Sequence, residues 1–105
     1  MTAEERRAEY DKIFDAVEID ERRLVDRLIG DCVWLEEQMA ELKPLPFIRV
    51  NPKDPSLQKM TPAARLYKEF ATSYMNGLRV LLNTLRKVEI AAQDELMKRL
   101  EEFEM

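Results

Sequence analysis

At 105 residues, with 46% apolar and 36% charged residues and two glycines, the chain has the length of one small domain and the composition of a helical bundle, with too little sequence for a deep core. A net charge of −4 gives no global case for nucleic-acid binding, and the absence of histidine removes the commonest general base and metal ligand. The single cysteine, Cys32, excludes an intramolecular disulfide and fits a reducing compartment. A polar N-terminus without an apolar signal core, and no run near the roughly 18 apolar residues of a membrane span, predict a soluble, cytoplasmic protein without a membrane partner.

The N-terminal helical element is expected over residues 1–18. Thr2 with Glu5 three positions later is a capping-box pattern. Tyr10, Ile13, Phe14 and Val17 form one narrow apolar stripe, which must dock either within this chain or on a copy of it. A second helix is predicted over 20–43, with Asp20 as N-cap and Glu21 in the first turn. Its apolar set Val25, Leu28, Cys32, Leu35, Met39 and Leu42 has heptad spacing. Val33 and Trp34 fall off that stripe, so a second contact surface is expected there. The break near residues 17–20 is either a boundary or a kink. Pro44 ends the helix.

Residues 44–60 read as an extended basic connector. All five prolines lie between positions 43 and 68, together with six basic residues and one acid, Asp54. The flanks are acidic: residues 1–42 hold thirteen acids against six bases. Phe47, Ile48 and Val50 favour extended backbone, and Asn51-Pro52 and Asp54-Pro55 mark turns. The segment is either a short strand or an arm that pairs with its copy.

Thr61 can cap and Pro62 suits a first helical position, so a long helix is predicted over 61–88. Leu66, Tyr67, Phe70, Tyr74, Leu78, Leu81, Leu85 and Val88 share one side of it. Gly77 sits within that stripe at a cost of about 1 kcal/mol relative to alanine, which predicts a close backbone approach. Residues 89–105 form a C-terminal helix or acidic tail, either continuing the long helix or folding separately, with Phe103 as its apolar anchor. The fold class that follows is all-α: an antiparallel helical hairpin of two long helices, an extra N-terminal helix and an extended Pro-rich connector.

Cys32 falls at a core position and reads as a small buried hydrophobe rather than a nucleophile. Gly30 and Gly77 are isolated, so no phosphate-cradling loop exists. Glu36, Glu37, Glu41, Asp11 and Asp15 read as solvated helix faces, and so do Arg6-Arg7 and Arg22-Arg23. The sequence therefore predicts no enzyme, no metal and no cofactor. Arg49, Lys53, Lys59, Arg65 and Lys68 are the candidate phosphate contacts. On charge rules alone, pairing of these bases with acids on neighbouring helices is equally weighted. Only Phe47 and Tyr67 could stack on bases. Val33, Trp34, Met75, Val80 and Leu82 are apolar residues to spare and form the candidate oligomer interface.

The residues Asn51-Pro52-Lys53-Asp54-Pro55-Ser56-Leu57-Gln58-Lys59, Thr61-Pro62-Ala63-Ala64, Leu66-Tyr67-Lys68-Glu69-Phe70 and Tyr74-Met75-Asn76-Gly77-Leu78 resemble those of phage and prophage terminase small subunits. The resemblance covers about residues 24–85. It implies a non-catalytic subunit in the host-cell cytoplasm that assembles into a homo-oligomer or ring. Such a subunit engages duplex viral DNA and regulates a large ATPase–nuclease terminase subunit during DNA packaging. The chain differs from longer members in lacking a distinct N-terminal helix-turn-helix and a glycine turn with a basic end after Leu85. The alternative expectation is a helical protein–protein interaction module of a prophage with no nucleic-acid role.

Overall fold

The computed structural model describes residues 1–104. Met105 and the side chains of Phe103 and Glu104 lie outside the described residues, and with them the expected anchor at Phe103. The fold is broadly all-α, as the sequence predicts: helix α1 (Ala3–Ile13), a 3₁₀ turn (Phe14–Ala16), helix α2 (Ile19–Leu42), strands β1 (Ile48–Val50) and β2 (Gln58–Met60), and helix α3 (Pro62–Glu104).

Thr2 caps α1, its hydroxyl accepting from the Glu5 amide at 3.1 Å. The chain then turns through residues 14–18 and enters α2 two residues earlier than the Asp20 cap predicts. Glu18 takes the cap position without a side-chain hydrogen bond, and Asp20 lies inside the first turn, where its charge complements the helix dipole. The apolar stripe that begins in α1 docks within its own chain except at Ile13, which stays 55% exposed. Tyr10, Phe14 and Val17 are buried with Val25, Ile29, Cys32, Val33 and Leu81 in one core. Each fully buried large side chain here, such as Phe14, Ile29 or Leu81, contributes on the order of 1.5–3 kcal/mol.

Helices α2 and α3 run antiparallel: Trp34 packs edge-on against Phe70 with ring centroids 5.5 Å apart, and earlier in α2 but later in α3, Cys32 meets Gly77. A Cβ on Gly77 would stand 2.9 Å from the Cys32 Sγ and 3.4 Å from Leu28 Cδ1, so the expected close approach is present. Residues 89–104 continue α3 without a break. At 1.5 Å per residue, α3 is roughly 65 Å long against about 36 Å for α2, and the molecule extends 81 Å along its longest axis. From Glu89 to Glu102 every residue is exposed.

The connector is more ordered than an extended arm. It folds back as an antiparallel β-hairpin, with Ile48 opposite Met60, Arg49 opposite Lys59 and Val50 opposite Gln58. The two Asx positions build its loop. The Asn51 side chain accepts from the Lys53 amide at 2.9 Å, and the Asp54 carboxylate accepts from the Ser56 amide and hydroxyl at 3.1 and 2.6 Å. These bonds hold the Asp54 carboxyl below its ordinary pKa. Thr61 ties the hairpin to α3: its hydroxyl accepts from the Ala64 amide at 3.2 Å and donates to the Pro46 carbonyl at 2.6 Å. Phe47 packs on Tyr67 with ring centroids 5.3 Å apart.

Candidate nucleic-acid interface and apolar groove

The hairpin register places Arg49 and Lys59 side by side on one face, because directly opposed residues of an antiparallel pair share a face. Lys53 lies in the loop beyond them. Arg65 and Lys68 sit one and two turns into α3, and both border a shallow depression with Met60, Glu69, Thr72 and Ser73. All five cations are exposed. Among the described residues none of them forms an ion pair, whereas Arg6, Arg7, Arg22 and Arg99 do. Pairing with acids on neighbouring helices is therefore not what these cations do within one chain. Arg49, Lys53, Lys59, Arg65 and Lys68 stand as solvated positive charges on and beside the hairpin, an arrangement able to meet the spaced anions of a phosphate backbone.

Beneath the hairpin runs an open groove of about 850 Å³. Phe47, Ile48 and Met60 form one wall, and Ala64, Tyr67, Ala71 and Met75 of α3 form the floor. Lys59, Lys68 and Arg79 stand at its margins. The sequence did not single out Arg79 or the groove. The signal was there in the i, i+3, i+4 recurrence of Ala64, Lys68, Ala71, Met75 and Arg79, obscured because two of those positions are cationic.

The candidate interface residues separate. Trp34, Met75, Val80 and Leu82 are each at least half exposed. Val33 is 6% exposed and belongs to the core of the chain, with Ala3 of α1 packed against that core, so it is unavailable to a partner. The second surface that Val33 predicted is α1 itself. Val80 lies about 160° round α3 from Leu82, so those two face different ways. Cys32 is fully buried, and burial pushes its thiol above the ordinary pKa, in keeping with a packing role.

A polar cluster absent from the sequence reading ties the three helices together. Glu36 accepts from Arg6 Nε at 2.6 Å, from the Tyr10 hydroxyl at 2.5 Å and from the Tyr74 hydroxyl at 3.0 Å. Its side chain is 22% exposed, so the solvated-face reading of Glu36 and of Arg6 is corrected. Burial alone pushes the Glu36 carboxyl up, but the three hydrogen bonds outweigh it and hold the carboxyl below the ordinary glutamate value. Burial, and then the bond to Glu36, push the Tyr10 phenol well above its usual range. Arg7 likewise reaches across to Asp26 and its carbonyl, and Arg22 to Asp15. The Glu36 cluster is a clamp: its carboxylate accepts from all three partners, and it borders a small open pocket of about 310 Å³ that Arg6, Val33 and Ala40 also line.

No helix among the described residues is long and apolar enough to cross a membrane. Compared with protein-family models, curated proteins and solved structures, the chain matches none.

Proposed function

We propose that the chain is a non-catalytic, homo-oligomeric adaptor of the terminase small-subunit kind, engaging duplex DNA through its basic hairpin and regulating a separate large ATPase–nuclease subunit. The observation that supports this reading is the set of five exposed cations, none ion-paired among the described residues, on and beside a two-stranded hairpin in a chain whose net charge is −4. Arg49, Lys53, Lys59 and Arg65 contact phosphates, with Lys68 at the groove margin. Such contacts position the protein and carry affinity by counterion release rather than by reading bases. Each subunit offers a small patch, and an oligomer multiplies it into a surface of high avidity.

The test is binding to duplex DNA across a salt series. The expected result is affinity that falls steeply with salt and is lost in the triple variant Lys53→Glu/Lys59→Glu/Arg65→Glu with its far-UV spectrum intact. Salt-insensitive binding, or binding unchanged by the triple variant, refutes it. The groove favours a second reading, a helical interaction module with no nucleic-acid role, because its floor and one wall are apolar. Under that reading Lys53→Glu/Arg65→Glu, outside the groove, keeps its partner, and Met75→Asp, on the groove floor, loses it.

A further inference from the structure

Helix α3 carries an exposed apolar stripe along almost its whole length. Met75 lies on the groove floor, and the same face continues through Leu82, Ile90, Leu96, Met97 and Leu100, which are 50–65% exposed. The first half of this stripe lies on the body of the molecule and the second half on the part of α3 where every residue is exposed. Charge divides at the same place. Residues 59–87 hold six bases and one acid, and residues 89–104 hold six acids and two bases.

One copy cannot bring these halves together. Their centres are about 36 Å apart on a single continuous helix, several Debye lengths of about 8 Å at physiological salt. A second copy laid antiparallel brings the acidic half of each α3 onto the basic half of the other, and does so twice at once. The lengths agree as well: the groove floor from Ala64 to Arg79 spans roughly 22 Å of helix and residues 89–102 span roughly 20 Å.

We propose that two copies of the chain pair antiparallel about a two-fold axis near Leu82, residues 89–102 of each occupying the groove between hairpin and α3 of the other. Leu96, Met97 and Leu100 cover the apolar floor around Ala64, Tyr67 and Ala71, while Glu89, Glu101 and their neighbours meet Arg79, Lys68 and Lys59. The contact is self-complementary, so it closes at two copies. The groove is incomplete in one chain and is finished by the other. This deepens the oligomeric part of the functional reading and uses none of its DNA part. A monomer that binds DNA refutes the pairing alone, and a dimer that ignores DNA refutes the DNA reading alone.

The experiment measures absolute mass of the full chain in solution across a dilution series, for the natural sequence and its variants. The natural chain is expected at twice 12.4 kDa. Leu96→Asp/Leu100→Asp, at positions exposed in the single chain, should keep its helical spectrum and weaken pairing at least a hundredfold. Lys68→Glu/Arg79→Glu and Glu89→Lys/Glu101→Lys should each be monomeric alone and form a mixed dimer when combined, since each supplies the charge the other reverses. Met97→Cys reports direction: in an antiparallel pair the two introduced thiols lie far apart, and in a parallel pair they oxidise to a disulfide. A monomer throughout, an odd-numbered closed assembly, an assembly that survives the Asp pair, failure of the charge-reversed variants to combine, or a Met97→Cys disulfide between copies overturns the proposal.

Discussion

Gly77→Ala isolates the closest contact between the two long helices. In an exposed helix the change gains about 1 kcal/mol of propensity. Here the new Cβ meets the Cys32 Sγ at 2.9 Å and Leu28 Cδ1 at 3.4 Å, and Cys32 is fully buried with no open side to move towards. Overpacking of this kind costs roughly 1–3 kcal/mol, so the net expectation is a loss of about 1 kcal/mol. For a domain of this size that is a fall of roughly 4–8 °C in Tm. Cys32→Ala alone removes a buried atom of about methyl size and costs about 1 kcal/mol. In the double variant the methyl introduced at position 77 fills the space that Sγ vacates, so the two losses do not add, and stability returns close to that of the natural chain. Urea unfolding of all four proteins at one protein concentration gives the coupling, expected at about 1–2 kcal/mol. Additivity within about 0.5 kcal/mol, or a Gly77→Ala protein more stable than the natural one, refutes the claim that helix approach is what glycine serves at this position.

Glu36→Gln should weaken the clamp by about 1–3 kcal/mol at neutral pH. Because the folded-state pKa of Glu36 is lowered, its contribution is present above the ordinary glutamate value of about 4.3 and fades as pH falls through the lower folded value; urea midpoints of the natural and Gln proteins should therefore converge on acidification. Tyr10 has the opposite sign: its raised folded pKa keeps the contribution whole below about pH 10 and loses it as pH rises further, so Tyr10→Phe should converge with the natural chain in alkali. Thr61→Ala removes both the cap on α3 and the bond to Pro46, costing about 1–2 kcal/mol; faster amide exchange confined to residues 47–61 is the expected signature. Lys53→Ala should reduce the log–log salt slope of DNA binding by about one unit.

Much of this architecture was legible because short-range chemistry dictates it. The capping residues Thr2 and Thr61, the stop at Pro44 and the heptad spacing of α2 each act within a few residues, and the elements follow from them. Gly77 was legible for the same reason, since a glycine in the middle of an apolar stripe has few other uses. The hairpin was only half legible: Phe47, Ile48 and Val50 announce a strand, but its partner Gln58-Lys59-Met60 has no β-propensity pattern and pairs because the loop from Asn51 to Leu57 returns it there. The Glu36 clamp was hidden altogether. Its partners Tyr10, Arg6 and Tyr74 stand 26 to 38 positions from Glu36 along the chain, and nothing local marks Glu36 off from Glu37. The reading of the connector cations as helix-paired failed on distance: the hairpin carries Arg49, Lys53 and Lys59 off the helical surfaces where the acids lie.

The two surfaces proposed for this chain share Lys59 and Lys68, and sharing has a sign. Phosphates of a duplex and the carboxylates of a second copy compete for the same ammonium groups, so whatever one gains in contact the other loses. Coupling between binding events is reciprocal: the factor by which DNA weakens pairing must equal the factor by which pairing weakens DNA binding. A short duplex that one hairpin can cover keeps avidity out of the measurement. With such a duplex, the monomeric Leu96→Asp/Leu100→Asp protein should bind more tightly than the natural dimer, by roughly 5–150-fold if the coupling has the usual 1–3 kcal/mol. Titrating the same duplex into the natural protein should dissociate the dimer by an equal factor, read as mass. Equal DNA affinity in monomer and dimer would place the phosphate contacts on Arg49, Lys53 and Arg65 alone, outside the groove, and would remove Lys59 and Lys68 from the nucleic-acid surface.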